Sequence, residues 1–141
     1  MTAAVPPEFD LALERSGAFM QVLGVQYESV TPTEVIAHVE VGPEHHTPWG
    51  IVHGGYYAAV IESIASIGAS FAVLPKKQVS VGVNNQTDFL RPVVAGRLDI
   101  RGTAISQGRT LQLWLVELTS AEAKIVARGQ VRLFNQPRPE S

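Results

Sequence analysis

The sequence predicts an α+β fold in which a strongly curved antiparallel sheet wraps around one long apolar helix. Three observations support this prediction. The stretch from Gly54 to Pro75 is apolar and contains a single charged side chain, Glu62. Segments that alternate apolar and polar side chains precede and follow it. The later segments are separated by only a few residues, which favours antiparallel pairing, and a helix that is apolar all round must be covered on all sides.

The individual elements follow from the hydrophobic pattern and from the positions of proline and glycine. A short amphipathic helix is expected in the N-terminal region, residues 1–20, after Pro6-Pro7. The long helix is expected to end at Leu74-Pro75, because proline cannot continue it. The predicted strands are Val22–Ser29, Thr33–Val41, Val79–Leu90, Gly96–Ser106, Leu111–Leu118 and Lys124–Phe134. A turn is predicted at Gln107-Gly108, and residues 136–141 are expected to form a frayed tail.

The composition limits the classes of function. The chain has 141 residues, which suits one domain over residues 1–141. Its 45% hydrophobic content predicts a well-filled core or surfaces buried in an oligomer. Eleven basic and thirteen acidic residues give a net charge of −2, without the basic excess of a nucleic-acid-binding protein. The absence of cysteine excludes thiolate nucleophiles, cysteine-ligated zinc, iron–sulfur clusters and disulfides.

Neither a signal peptide nor a membrane span is favoured by the sequence. The N-terminus carries prolines and acidic residues where a signal peptide has a basic patch and an apolar run, so a cytoplasmic protein is expected. The stretch from Gly54 to Pro75 has the length of a transmembrane helix, about 20 residues. However, it contains Glu62 and three serines, and no basic anchor precedes it. We therefore predict a core helix and no membrane partner.

The start of the long helix carries the candidate chemistry. Gly54 and Gly55 lie where free backbone N–H groups and the positive end of the helix dipole can hold an oxygen anion. Glu62 follows two turns later on roughly the same face, and Ser66 one turn beyond. A charge buried among apolar residues is costly, which favours a functional role for Glu62. An oxyanion donor and a carboxylate that face one pocket suit acyl transfer or hydrolysis.

Structural interpretations of the same residues stay open at this point. Paired glycines at a helix start are often only turn residues, and Glu62 could be a hydrogen-bonded structural carboxylate. His53 could simply occupy a loop or cap the helix. His45 and His46 are expected to be solvated. The four histidines show no metal-ligand spacing, so neither a metal nor a cofactor is predicted.

The chain resembles the hotdog-fold acyl-CoA thioesterases of the phenylacetyl-CoA and 4-hydroxybenzoyl-CoA thioesterase type. The resemblance is carried by His53-Gly54-Gly55 with an acid eight residues after Gly54, and it extends from about Phe19 to Phe134. The stretch Glu62-Ser-Ile-Ala-Ser66 is especially similar to members that use glutamate, which hydrolyse 4-hydroxybenzoyl-CoA or 1,4-dihydroxy-2-naphthoyl-CoA. The resemblance implies a hotdog fold and hydrolysis of an acyl-CoA to a carboxylic acid and free CoA.

The resemblance also implies roles for residues near the reacting bond. Glu62 corresponds to the catalytic carboxylate. Gly54 corresponds to the residue whose backbone N–H donates to the thioester carbonyl, and Gly55 follows it in the substrate-binding turn. His53 corresponds to a residue that orders this loop, and Ser66 to a hydroxyl near the carboxylate. Thr47 replaces the glutamine or asparagine that relatives carry fifteen residues before the acid, which puts water placement or substrate choice in question.

Other positions correspond to substrate-binding residues of the family. Ser80 matches a serine used by some members whose acid is aspartate. Arg91 and Arg109-Thr110 fall where relatives contact the phosphates of CoA. In this family the site lies between two subunits, so the resemblance implies a homodimer or a dimer of dimers.

The sequence thus predicts a cytoplasmic acyl-CoA thioesterase in which Glu62 acts as nucleophile or as general base on water. Two alternatives use the same fold. A non-catalytic acyl-CoA sensor or carrier would keep the pocket but need no carboxylate. A dehydratase of 3-hydroxyacyl thioesters would use a catalytic histidine in a motif that His53-Gly54-Gly55 does not match. Thiol release from a panel of acyl-CoAs separates these alternatives.

Overall fold

Six antiparallel strands and one long helix form the body of the computed structural model, which describes residue 11 and residues 13–140. The helices are α1 (Ala18–Leu23) and α2 (Gly54–Val73). The strands are β1 (Gln26–Val30), β2 (Glu34–Val41), β3 (Gln78–Phe89), β4 (Gly96–Gln107), β5 (Leu111–Thr119) and β6 (Ile125–Pro137). Short 3-10 turns occur at Leu13–Arg15, Pro43–His45 and Leu74–Lys76. The predicted α+β architecture is confirmed.

The sheet has the strand order β1-β2-β4-β5-β6-β3, so β1 and β3 are its edges within the described part of the chain. The sheet curves around α2, which contacts all six strands. Side chains alternate along each strand between the concave face, which packs on α2, and the convex face. In β6, for example, Val131 and Leu133 are buried, whereas Arg132 and Phe134 are exposed.

Three glycines allow the sheet and α2 to approach closely. A Cβ atom on Gly68 of α2 would lie 2.5 Å from the ring of Trp114, which is fully buried on β5. A Cβ on Gly102 of β4 would lie 2.7 Å from Ile64, and one on Gly129 of β6 would lie 2.5 Å from Thr87 Oγ1 and 3.0 Å from Ile61. Real Cβ atoms do not approach this closely, so these contacts require glycine at all three positions.

One face of α2 is not covered by the sheet, which corrects the expectation of a helix buried on all sides. The residues on this face are exposed or half-buried: Ala58, Ala59, Glu62, Ser63, Ser66 and Ile67. Their spacing of three and four residues makes them a stripe along the helix. Among the described residues, α2 and the turn after it form the one helical segment long and apolar enough to cross a membrane. Its contacts with all six strands identify it as the core helix of this fold.

The N-terminal elements differ in their boundaries from the predicted ones. Most of the expected helix in residues 1–20 lies outside the described residues. The helix that is described, α1, continues to Leu23 and is capped by Gly24. Gly24 has a left-handed backbone conformation (φ 68°), and its N–H donates a hydrogen bond to Met20 O. The strand predicted from Val22 therefore begins only at Gln26. The helix and the glycine turn take precedence over the strand propensity of Val22 and Val25.

The predicted frayed tail is also corrected in part. Gln136 and Pro137 continue strand β6 and pair with Val79 and Gln78 of β3. The backbone N–H of Arg138 donates to Lys77 O. Pairing with β3 therefore orders the chain beyond Phe134, where the sequence signal for a strand ends.

We predict that Gly68→Ala lowers the free energy of unfolding by about 1–3 kcal/mol, the usual range for overpacking a core. The loss should outweigh the higher helix propensity of alanine, which is worth about 1 kcal/mol. Urea denaturation at fixed protein concentration, followed by tryptophan fluorescence, measures the effect. Gly17→Ala is the control, because a Cβ there would meet no atom within 4 Å. Unchanged or raised stability of Gly68→Ala would contradict the packing described above.

Candidate active site

The first turn of α2 is organised by His53, which is its N-cap. The Nδ1 atom of His53 accepts a hydrogen bond from the Gly55 N–H at 2.8 Å. Within the described residues nothing accepts a hydrogen bond from the Gly54 N–H. The ring of Phe89 lies against Gly54, 2.7 Å from where a Cβ atom would be. A Cβ at position 54 would therefore displace the exposed Phe89 ring, and the Gly54 N–H is left free at the positive end of the helix.

Glu62 lies on the uncovered face of α2, above strand β3. Its side chain is exposed in the single chain, so the prediction of a carboxylate buried among apolar residues is wrong. The amide Nδ2 of Asn85 donates to Glu62 Oε1 at 3.4 Å and to the backbone oxygen of Ala58 at 3.0 Å. A Cβ on Gly82 would lie 3.3 Å from the Glu62 carboxyl carbon. The carboxylate is thus placed by its contacts with β3 and not by burial.

A cavity of about 700 Å³ opens along this face of α2, a size typical of small-molecule sites. Its lining is mostly apolar, and Glu62 is the one carboxylate that lines it within the described chain. The lining residues are Leu11, Ser16, Gly17, Phe19, Met20, Val25, Tyr27, Ala58, Ala59, Glu62, Ser63, Ser66, Ile67 and Asn85. The structure therefore brings Glu62 and Ser66 to one site. No group of three or more His, Cys, Asp or Glu side chains in the described residues could hold a metal ion.

The outer wall of the cavity is the segment that contains α1, and two buried side chains hold its end. His45 Nε2 lies 2.6 Å from the backbone oxygen of Val22, and the Tyr56 hydroxyl donates to Leu23 O at 2.6 Å. Burial, together with the nearby Glu44 carboxylate, raises the pKa of Tyr56, so its hydroxyl stays a neutral donor. The expectation that His45 is solvated is wrong, because a tilted ring contact with Tyr56 and these backbone contacts enclose it.

His46 also has a structural contact, since its Nε2 atom lies 2.6 Å from Val94 O. Thr47 lies in the same loop and stabilises its turn. The Thr47 hydroxyl oxygen accepts a hydrogen bond from the Trp49 N–H at 3.1 Å, and its backbone N–H donates to Ile51 O. Neither Thr47 nor Gly54 lines the cavity that contains Glu62. Gly54 and Glu62 are eight residues apart, which corresponds to about 12 Å along the helix axis.

Ser80, predicted to bind substrate, is placed elsewhere. It is 3% exposed, and its hydroxyl donates to Asn135 Oδ1 at 2.9 Å. Its backbone N–H donates to the Ser70 hydroxyl, near the C-terminal end of α2. Ser80 does not line the cavity that contains Glu62. The structure gives it a buried hydrogen-bonding role, which corrects the prediction for this chain.

The two arginines predicted to contact phosphate lie at opposite ends of the sheet. The backbone N–H of Arg91 donates to Val126 O, at the start of β6. The backbone oxygen of Thr110, next to Arg109, accepts a hydrogen bond from the N–H of Asn135, near the end of β6. Nine residues of strand separate these points, about 30 Å at the usual rise. Both arginines are exposed, but the pair from one chain cannot bind the same phosphate.

Asn85 was not identified from the sequence, although it contacts the candidate catalytic carboxylate. Thr87 Oγ1 donates to Asn85 Oδ1 at 2.6 Å, which fixes the amide so that Nδ2 points toward Glu62. The signal in the sequence is the pair Asn84-Asn85 within a strand, where asparagine is disfavoured. A β-bulge between Gly82 and Asn84 interrupts the alternation along β3, so that Asn85, and not Asn84, lies on the α2 side of the sheet.

Comparison with known proteins agrees with this site. Residues 50–127 match the family model of the thioesterase superfamily. A Mycobacterium tuberculosis protein, Rv1847, named as a candidate esterase, is 41% identical over 137 residues, 94% of this chain and 97% of that protein. Its structure has 40% identity and a TM-score of 0.83, covering 88% of this chain and all of that one.

Two further relatives carry more specific names. The structure of thioesterase HI1161 from Haemophilus influenzae has 26% identity and a TM-score of 0.81, covering 94% of this chain and 95% of that one. The 1,4-dihydroxy-2-naphthoyl-CoA hydrolase of Listeria monocytogenes is 27% identical over 106 residues, 75% of this chain and 85% of that enzyme.

The curved six-stranded sheet around a central helix is therefore a hotdog fold of the thioesterase type. The chain belongs to the thioesterase superfamily. The predicted thioester hydrolase is confirmed, and the named relatives support the acyl-CoA thioesterase activity that the sequence predicts.

We predict that Asn85→Ala lowers the kcat of thioester hydrolysis about tenfold, equivalent to about 1.4 kcal/mol. The reason is that the Glu62 carboxylate loses the amide that places it. Asn84→Ala is the matched control, because the neighbouring side chain makes no such contact with Glu62. Steady-state kinetics of both variants, with the same thioester, measure the difference. Equal kcat values for the two variants would show that Asn85 does not act on the carboxylate.

Proposed function

We propose that this thioesterase hydrolyses an acyl-CoA with Glu62 as its catalytic carboxylate. The observation that carries the proposal is the position of Glu62 in the cavity. It is the sole carboxylate lining a mostly apolar space of about 700 Å³ in the described chain. An apolar cavity suits the acyl group, and the carboxylate at its wall suits attack on the thioester carbon. An arylacyl group, as in the name of the Listeria relative, is the substrate class we favour.

The chemistry needs a nucleophile and a donor to the carbonyl oxygen. Glu62 either attacks the thioester carbon to give a mixed anhydride or takes a proton from an attacking water. In both routes the C–S bond breaks and the CoA sulfur takes up a proton. In the anhydride route a water molecule then hydrolyses the anhydride, which releases the carboxylic acid and regenerates the Glu62 carboxylate; in the general-base route the attacking water gives the acid directly. The free Gly54 N–H at the helix start is suited to stabilise the oxyanion. Ser66 lies one turn beyond Glu62 in the same cavity.

We infer that the complete site needs two copies of the chain. Glu62 and Gly54 of one chain do not line the same cavity, and Arg91 and Arg109 of one chain lie at opposite ends of β6. If two copies paired antiparallel along β3, the end of β3 that lies beside Gly54 in one copy would meet the start of β3 in the other. The Gly54 N–H of one copy would then approach the Glu62 side of the other copy. Strand β3 suits this pairing, because it is a twelve-residue edge strand without lysine, arginine or proline.

The finer assignments remain predictions. From the sequence we expect a dimer or a dimer of dimers and a cytoplasmic location. We also expect phosphate contacts by Arg91, Arg109 and Thr110. Because the chain has no excess of basic residues, we propose no nucleic-acid partner.

We predict that Glu62→Gln lowers kcat by at least about a hundredfold, the usual loss when a general base or nucleophile is removed. Glutamine keeps the size of the side chain and the contact with Asn85 but removes the charge. Glu40→Gln, an exposed carboxylate on β2, is the control and should keep full activity. Thiol release from acyl-CoA gives kcat, and circular dichroism verifies the fold. Activity of Glu62→Gln within a few-fold of the unchanged protein would exclude this mechanism.

We predict a mass of at least twice 15.2 kDa by light scattering at micromolar concentration. Val83→Lys on β3 should shift the mass toward that of one chain and reduce activity in parallel, because a two-fold pairing brings the new charges together. Ile105→Lys is matched in exposure, 53% against 58% for Val83, but lies on the internal strand β4 and should leave the dimer intact. A fully active monomer would refute the shared site.

A further inference from the structure

A connected set of buried polar side chains lies beneath the hairpin that joins β4 to β5. The set contains Gln112, Asn135, Ser80 and Ser70, all less than a tenth exposed. None of these residues lines the cavity that contains Glu62. Buried polar groups are costly unless they are hydrogen-bonded, so a network at this place needs an explanation beyond packing.

Asn135 uses its whole side-chain amide in this network. Its Nδ2 donates to the backbone oxygens of Gly108 and Arg109, at 3.3 and 3.1 Å. Its Oδ1 accepts from the hydroxyl of Ser80 and from Nε2 of Gln112, both at 2.9 Å. An asparagine amide has two donor hydrogens and one oxygen with two lone pairs, so every group is satisfied.

Gln112 is equally saturated and links the network to the core helix. Its Nε2 donates to Asn135 and to the backbone oxygen of Ala69 in α2, the latter at 2.9 Å. Its Oε1 accepts from the indole N–H of Trp114 at 2.9 Å and from Gln107 Nε2 at 3.1 Å. The hairpin is therefore connected through side chains to the helix that carries Glu62.

The hairpin so held presents an exposed cation in a basic region. Arg109 and Thr110 are both exposed at its tip. Lys77 lies at the same end of the sheet, because its backbone oxygen accepts from the N–H of Arg138 just beyond β6. In sequence, no acidic residue occurs between Glu62 and Asp88 or between Asp99 and Glu117. The acidic residue nearest in sequence to Arg138 is Glu140, so Lys77, Arg109 and Arg138 together leave an excess of positive charge that is suited to a phosphate group.

We propose that Asn135 and Gln112 are positioning residues for the nucleotide part of the acyl-CoA substrate. They hold the backbone of the Gly108–Arg109 turn, so that Arg109 meets a phosphate without first ordering the loop. A turn fixed before binding avoids the entropic cost of ordering it, which appears as tighter substrate binding and not as faster chemistry. The inference rests on the proposed acyl-CoA hydrolysis and adds to it a role for residues distant from the reacting bond.

The test compares two thioesters with the same acyl group, one of CoA and one of pantetheine, which lacks the nucleotide. The acyl group is the one that the unchanged protein hydrolyses fastest in an aryl and aliphatic panel. We expect Asn135→Ala to raise KM for the CoA thioester about tenfold while kcat and the KM for the pantetheine thioester stay within twofold. Ser80→Ala, which removes only one hydrogen bond to Asn135, should give a smaller change in the same direction and covers the case in which Asn135→Ala does not fold.

Two controls separate positioning from general stability. Ser70→Ala removes a buried hydroxyl that bonds Ser80 backbone atoms but does not contact the hairpin, so neither KM should change. Arg109→Ala should raise KM for the CoA thioester, and adding Asn135→Ala to it should cause no further rise, because residues that act through one another are not additive.

The outcomes are distinguishable from failure of the proposed function. If the unchanged protein hydrolyses no acyl-CoA, both proposals are overturned. If it hydrolyses acyl-CoA but Asn135→Ala raises KM equally for both thioesters, or leaves both unchanged, only the positioning role is overturned. Additive effects of Arg109→Ala and Asn135→Ala would likewise overturn it, since they would show that Asn135 does not act through this arginine.

Discussion

Helix α2 packs into the curved sheet with glycines at the closest contacts, and the position of every functional group depends on this packing. The missing side chains at Gly68, Gly102 and Gly129 leave space for the side chains of Trp114, Ile64 and Ile61, respectively. Because the sheet covers α2 on one side only, the stripe that contains Glu62 and Ser66 is left open. Burial of the apolar side therefore fixes the rotation of the helix, and that rotation determines which side chains face the cavity.

The same packing spreads the candidate functional groups along the length of α2 and the neighbouring strand β3. Gly54 and Arg91 lie at one end, Glu62 in the middle above Gly82 and Asn85, and Arg109 at the other end. A single chain consequently holds the proposed oxyanion donor, Gly54, and the proposed catalytic carboxylate, Glu62, in different places. A two-fold axis near the middle of β3 would reverse this order in the second copy. The separation of Gly54 from Glu62 within one chain thus supports the proposed shared site.

The sequence was sufficient for the elements whose signals are local. The apolar stretch predicted α2, and alternation predicted five strands to within about three residues. The signals failed where a contact with a distant segment decides the structure. Gln136 and Pro137 are ordered by pairing with β3, and His45 is buried by the C-terminal end of α1 and by Tyr56. Ser80 and Asn85 are both polar residues of β3, and only tertiary contacts show that Asn85, not Ser80, faces Glu62.

The exposure of Glu62 bears on how the site gains its reactivity. In one chain the carboxylate is exposed and accepts a 3.4 Å hydrogen bond from Asn85. Electrostatic interactions and hydrogen bonds strengthen when water is excluded, because the local dielectric constant falls. A second copy along β3, together with the bound acyl group, would cover this part of the cavity. The contact with Asn85 and the helix dipole at Gly54 would then act on the reacting groups with less screening, so association and substrate binding would each contribute to catalysis.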